Sequence, residues 1–183
     1  MELSSIRFPG CFKILPKAAW DHRGVLVKTF VEEEYRASGL RTDFVEEFYS
    51  QSVKNVIRGL HFQIPPYEHH KTVSCVFGTI TDVTVDLRVG SPTFGQCEAI
   101  VLDGDYRCVL YLPPGIAHGF LTRSEVSVVV YRVTSVHSPS HDRGIRWDSI
   151  PFDWEVESPI VSGRDASLPL LDQFSSPFRY SPG

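Results

Sequence analysis

Apolar and polar residues alternate in short runs along this chain, and glycine or proline separates one run from the next. That spacing predicts strands rather than long helices. Residues 12–15 read as a first short strand. Asp21-His22-Arg23-Gly24 reads as a turn, and Val25-Leu26-Val27 opens another extended segment. Residues 31–38, rich in glutamate and closed by Gly39, predict the one clear short helix. Residues 41–50 return to extended structure and lead into Val56-Ile57-Arg58-Gly59-Leu60-His61-Phe62-Gln63, a strand that Pro65 and Pro66 must end. With period two, Gly59, His61 and Gln63 share one face, and Arg58 joins Leu60 and Phe62 on the other. Gly59 inside a strand marks a close approach by another backbone or a ligand.

From Lys71 the strands follow one another: 72–77, 80–87, 99–102, 107–112 and 127–133, with turns at Gly78, Gly90-Ser91-Pro92, Asp103-Gly104-Asp105 and Pro113-Pro114-Gly115. In 80–87, Val83, Val85 and Leu87 lie on one face and Asp82, Thr84 and Asp86 on the other. The tail beyond Pro151 has too many prolines and serines for a helix before 168–174. No repeat or linker divides the chain. The expectation is one all-β domain over residues 1–183, a sandwich or barrel with short peripheral helices.

Composition narrows the function classes. The 183 residues are 42% hydrophobic and 22% charged, with a formal net charge of -4. That balance speaks against an extended surface for nucleic acid or an anionic membrane, but leaves room for a local cationic pocket. Cys11, Cys75, Cys97 and Cys108 form no CxxC pair, and Cys75 and Cys108 sit in apolar runs. Free thiols, no leader-like apolar run and no stretch of membrane-spanning length make the cytoplasm the expected location.

Ionisable groups recur at strand ends and turns: His61, His69, His70, Lys71, His118 and Tyr131. A small barrel displays such groups into its mouth. A metal site is not expected, because there is no HxH, no HExxH and no glutamate at a short offset from His61. Phosphate-binding glycine motifs are absent too. The metal-free alternative makes a histidine a base, with a carboxylate from Asp82, Asp86 or Asp165 on its other ring nitrogen. Lys71 or His118 would steady a developing enolate oxygen, Tyr131 would return a proton from the opposite face, and Arg23 and Arg58 would bind phosphate.

At this point the chain resembles the dTDP-4-dehydrorhamnose 3,5-epimerases, sugar-nucleotide epimerases of the cupin class. The matching runs are Asp21-His22-Arg23-Gly24, Arg58-Gly59-Leu60-His61-Phe62-Gln63, Asp82 to Arg88 with Gly90 to Gly95, Pro114 to Phe120, and Arg143-Gly144-Ile145-Arg146-Trp147. The resemblance implies a cupin-type jelly-roll barrel, dimeric through exchanged N-terminal strands and working without metal or redox cofactor. Its substrate class is a nucleoside diphosphate 4-keto-6-deoxyhexose, epimerised at C3 or at C3 and C5. It further implies His61 as base, Asp165 as its paired carboxylate, Lys71 at the enolate oxygen and Tyr131 as acid. Arg23 and Arg58 would hold the diphosphate, with Gln63, His118, Lys28 and His137 completing the binding set. Some positions depart from the family pattern. Val25, Leu26 and Lys28 stand where aromatics and a glutamate are usual, His137 replaces a second tyrosine, and Glu46, Phe48 and Tyr49 precede Ser50. Those departures imply an altered base or sugar preference. A 3,4-ketoisomerase of a similar nucleotide sugar, or a non-catalytic sugar-nucleotide binding module, are the other readings.

Overall fold

The structure, a computed structural model, describes residues 1–182. Thirteen strands form in chain order. The first six are β1 (Glu2–Ser5), β2 (Phe12–Leu15), β3 (Ala18–Asp21), β4 (Gly24–Val27), β5 (Glu46–Val53) and β6 (Ile57–Gln63). There follow β7 (Lys71–Phe77), β8 (Thr79–Asp86), β9 (Cys97–Asp103), β10 (Val109–Leu112), β11 (Ile116–Thr122), β12 (Val126–Val133) and β13 (Asp142–Gly144). Helix α1 (Glu32–Ala37) precedes β5, and α2 (Gly163–Ala166) lies in the tail. The expected all-β architecture with short peripheral helices is what forms. β1, β13 and α2 are too short to leave a periodic trace in the sequence. The tail helix expected at 168–174 shrinks to a 3-10 turn, Leu171–Gln173.

Two antiparallel sheets make the jelly-roll barrel. One runs β1-β2-β10-β7-β12-β5 and the other β13-β6-β11-β8-β9, while β3 and β4 form a separate hairpin. Apolar side chains from both sheets meet inside, among them Val73, Ile80, Leu110, Phe120 and Val129. A second cluster lies outside the β6–β11–β8 face, where Leu60, Val83, Val85 and Leu121 pack under Ile145, Trp154 and Phe178 of the tail. This outer layer explains why β8 is buried on both faces although its sequence alternates. A third cluster seats α1 through Tyr35 against Ile14 and Val109. The four cysteines are unpaired, with Cys97 alone partly exposed.

The close approach expected at Gly59 is present, and its partner is Gly119 of β11. A Cβ on Gly59 would lie 2.5 Å from the Gly119 Cα, and one on Gly119 would lie 2.7 Å from the Arg58 carbonyl oxygen. Gly59 also holds a φ of +125°, which side chains resist. The register slips at this point: His118 pairs with His61, but Phe120 pairs with Arg58, so three steps on β6 match two on β11. This is a β-bulge. It overturns the strict period-two reading of β6, because the extra residue turns Arg58 onto the same face as His61.

Gly119→Ala should therefore cost about 2–3 kcal/mol, since a rigid backbone carbonyl must yield. Urea unfolding measures it, and an unchanged midpoint would mean that the two strands can separate freely.

Candidate active site

The barrel opens on one side into a cavity of about 460 Å³. β6 lines it with Arg58, His61 and Gln63, β7 with Lys71, β11 with His118 and Phe120, and β12 with Tyr131 and Val133. These positions share the inner face of their strands, so the polar groups converge although they are scattered along the chain.

His61 is held from behind. Its Nε2 lies 2.7 Å from Asp165 Oδ1, and Asp165 Oδ2 accepts a bond from the Gly59 N–H at 3.2 Å. Asp165 sits in α2, where the Ser162 hydroxyl caps its N–H at 3.0 Å. The tail reaches β6 through paired bonds, Ile57 N to Ile160 O and Ile160 N to Asn55 O. Burial works against ionising Asp165, but the bonds from His61 and Gly59 outweigh it and keep its pKa below the ordinary value. An ionised Asp165 only accepts, so the His61 ring donates from Nε2 and Nδ1 is left as its basic nitrogen.

A second histidine–carboxylate pair lies alongside. His118 Nε2 is 2.6 Å from Asp82 Oδ2, both residues are buried, and Asp82 Oδ1 has no hydrogen-bond partner. Of the three carboxylates the spacing left open, Asp165 thus serves His61, and Asp82 serves His118. Asp86 is committed elsewhere, in a fork with the Arg88 guanidinium at 2.8 and 2.9 Å.

Lys71 is only partly open to the cavity, and desolvation lowers its pKa from 10.5 to about 8 against the attraction of Asp142 and Asp82. Burial raises the Tyr131 phenol well above its usual value, with Ser50 opposing. The phenol therefore holds its proton through neutrality. Burial, then the neighbouring Lys71 and His70, push His69 down to about 3, so its ring is neutral. Arg58 bonds only neutral acceptors, Ser52 Oγ at 2.9 Å and the Gln51 carbonyl at 3.2 Å, leaving its charge free for an anion.

The structure thus brings together His61, Asp165, Lys71, Tyr131, Arg58, Gln63, His118 and His137. Gln63 reaches the wall, but its amide is engaged with two loops: Nε2 donates to the Tyr67 carbonyl at 2.8 Å, and Oε1 accepts from Ser138 N at 2.6 Å. Arg23 and Lys28 do not join them. Arg23 is exposed on the β3–β4 hairpin and paired with Asp21 at 2.5 Å. Lys28 lies just beyond β4, outside the cavity lining. Glu46, Phe48, Ser50, His69, Asp142 and Arg164 also line the cavity; sequence reasoning named His69 as an ionisable candidate and Glu46 and Phe48 as departures from the family pattern, but gave none of the six a role. Period two along β5 flags the first three, and Arg164 stands beside Asp165. Asp142 carries no local signal. It bridges Arg164 at 2.8 Å and His137 at 3.2 Å across the cavity mouth. Among the described residues no cluster of three or more His, Cys, Asp or Glu could hold a metal ion, and no helix is long and apolar enough to cross a membrane.

The family model for dTDP-4-dehydrorhamnose 3,5-epimerase matches residues 5–173. The dTDP-4-dehydrorhamnose 3,5-epimerase of Salmonella typhimurium is 38% identical over 169 residues, covering 90% of this chain and 92% of its own. The structure of dTDP-6-deoxy-D-glucose-3,5-epimerase from Legionella pneumophila, in complex with dTDP-4-keto-L-rhamnose, superposes with a TM-score of 0.93. It is 31% identical and covers 99% of both chains. NovW of Streptomyces spheroides, a 4-keto-6-deoxy sugar epimerase from the novobiocin biosynthetic gene cluster, gives a TM-score of 0.89 at 34% identity, over 94% of this chain and 88% of that one.

The lowered pKa of Lys71 means that burying its charge opposes folding. Between pH 8 and 10.5 the unfolded chain binds more protons than the native one, so this group makes stability rise with pH across that window. Lys71→Met should remove the penalty and raise stability at pH 7 by about 1–2 kcal/mol. Urea midpoints at pH 7 test it; a destabilised variant would show that the ammonium is well paired instead.

Proposed function

The chain belongs to the dTDP-4-dehydrorhamnose 3,5-epimerase family, and on that premise we propose that it epimerises a nucleoside diphosphate 4-keto-6-deoxyhexose at C3, or at C3 and C5. The observation that carries this reading is the facing of a carboxylate-backed histidine, a desolvated, half-buried lysine and a protonated tyrosine across one cavity.

In this reading His61 takes the proton from the carbon beside the 4-keto group. The C–H electrons move into a carbon–carbon double bond, and the carbonyl oxygen becomes an enolate. Asp165 orients the imidazole and stabilises the imidazolium that forms. The Lys71 ammonium, the His118 ring and the neutral His69 ring supply charge and donors toward the enolate oxygen. The Tyr131 O–H then gives its proton to the opposite face, and the double bond's electrons form the new C–H bond. Solvent returns a proton to the tyrosinate and takes one from His61, so the sum is an isomerisation. Arg58 holds the diphosphate, and His137 and Lys28 act toward the nucleotide side.

The β3–β4 hairpin supports a homodimer. Trp20 is 66% exposed and Leu26 61%, a cost that a second copy would relieve. A hairpin lying against the partner's cavity would bring Arg23 and Lys28 to the diphosphate there. We also read residues 1–183 as one domain acting in the cytoplasm. A core drawn from both sheets supports the first point, and the four unpaired thiols support the second.

Turnover of dTDP-, CDP-, GDP- and UDP-linked 4-keto-6-deoxyhexoses in deuterated water, followed by NMR, should give deuterium and inversion at C3, or at C3 and C5. His61→Ala should lower both by about 10²–10⁴ with the fold retained. Migration of the keto group would favour a ketoisomerase, and no exchange with any compound would favour a binding module. Trp20→Glu with Leu26→Glu should yield monomers by sedimentation and abolish turnover; a fully active monomer would refute the shared site.

A further inference from the structure

We propose that Phe48 is a positioning residue for the proton donor: its ring, stacked on Tyr131, aims the phenol at the face of the sugar opposite His61. The inference rests on the epimerase reading above and concerns a residue that touches the acid rather than performing a chemical step.

β5 is the edge of its sheet, so its inward residues have β12 as their one strand neighbour. In that pairing Phe48 stands directly opposite Tyr131. The two rings are stacked, with centroids 4.8 Å apart and planes 17° from parallel. The other aromatic neighbour of Tyr131 is His118, edge-on at 6.1 Å and 75°. Hydrogen bonding does little to orient the phenol, because its one partner, Ser50 Oγ, lies at 3.4 Å. This looseness suits an acid, since a strong acceptor would compete with the enolate for the proton. The plane of the ring must then be set by packing, and Phe48 supplies the flat surface that sets it. Phe48 is itself 43% exposed and lines the cavity. Its ring therefore contributes more to the placing of Tyr131 than to the buried core.

A misaimed phenol has a distinct chemical result. His61 still removes the proton, because the base stands on the opposite sheet, backed by Asp165 of α2. The enolate then waits, and His61 returns a deuteron to the face from which the proton came. Exchange with retention replaces exchange with inversion, a split that a general loosening of the fold would not produce.

The test is the partition between labelled epimer and labelled starting diastereomer at early times in deuterated water, with the nucleotide sugar that the unaltered protein turns over. Phe48→Ala should shift that partition about tenfold toward retention, by more than the total incorporation of deuterium falls. Phe48→Tyr, which keeps the flat face, should bring the partition back. Where Phe48→Ala does not fold by near-ultraviolet circular dichroism, Phe48→Leu keeps the bulk without the plane and should shift the same way. An unchanged partition in the folded Ala or Leu variant overturns the assignment, whether total exchange falls or not. Absence of exchange in the unaltered protein would remove the epimerase reading first and this one with it, so the two failures are distinguishable.

Discussion

Two strand backbones pass at Gly59 and Gly119 more closely than any side chain would permit. The arrangement of polar groups in the cavity depends on this contact, because the bulge that accompanies it reorients β6. Without the extra residue, a continuous two-residue alternation would send Arg58 out to the tail-covered face while His61 pointed in. With it, the guanidinium and the imidazole enter the same cavity from one strand. Gly59 also lends its N–H to Asp165. One glycine pair thus connects strand packing, the direction of Arg58 and the setting of the His61–Asp165 pair.

The cavity keeps its proton carriers in complementary states by burial and pairing rather than by any one charge. Asp165 stays ionised because two donors offset its desolvation, and Tyr131 stays protonated because the weak bond to Ser50 falls short of offsetting its own. Lys71 falls between, with carboxylates of Asp82 and Asp142 recovering only part of what burial takes. In the proposed reaction these would be a base backed by an anion, an acid reluctant to ionise and a cation close to losing its proton, a set suited to transient enolate formation. Asp142 also organises the mouth, where it ties Arg164 to His137.

Much of the fold was legible, for identifiable reasons. Alternation and turn residues mark β6, β7, β8 and β12 to within a residue or so, because each strand is long enough to show its period. The three-residue β13 and the four-residue α2 are held by tertiary bonds, so their sequences carry no pattern of their own. The faces of β6 were misread because a bulge is a property of two strands and is written in neither alone. His61, Lys71, His118 and Tyr131 stood out as polar groups at strand ends. The carboxylate of His61 did not: Asp82 and Asp86 have similar local settings, and only the crossing of the tail separates Asp165 from them. Arg23 lies on the β3–β4 hairpin and Lys28 just beyond it, away from the cavity lining, a distance that spacing along the chain does not reveal.

The dyad joins residues 104 positions apart, and the link is made by a short irregular segment. Ile160 anchors that segment to the bulged strand and Ser162 caps its helical turn, whereas the barrel core lies in the sheets. Loosening of this one crossing would release Asp165 while the barrel stayed whole. The imidazole would then lose its fixed tautomer and its counter-charge together. Catalytic competence is in this sense a finer gauge of the molecule than its secondary structure: inactivation on warming would precede melting, and recover on cooling, for as long as the sheets endure.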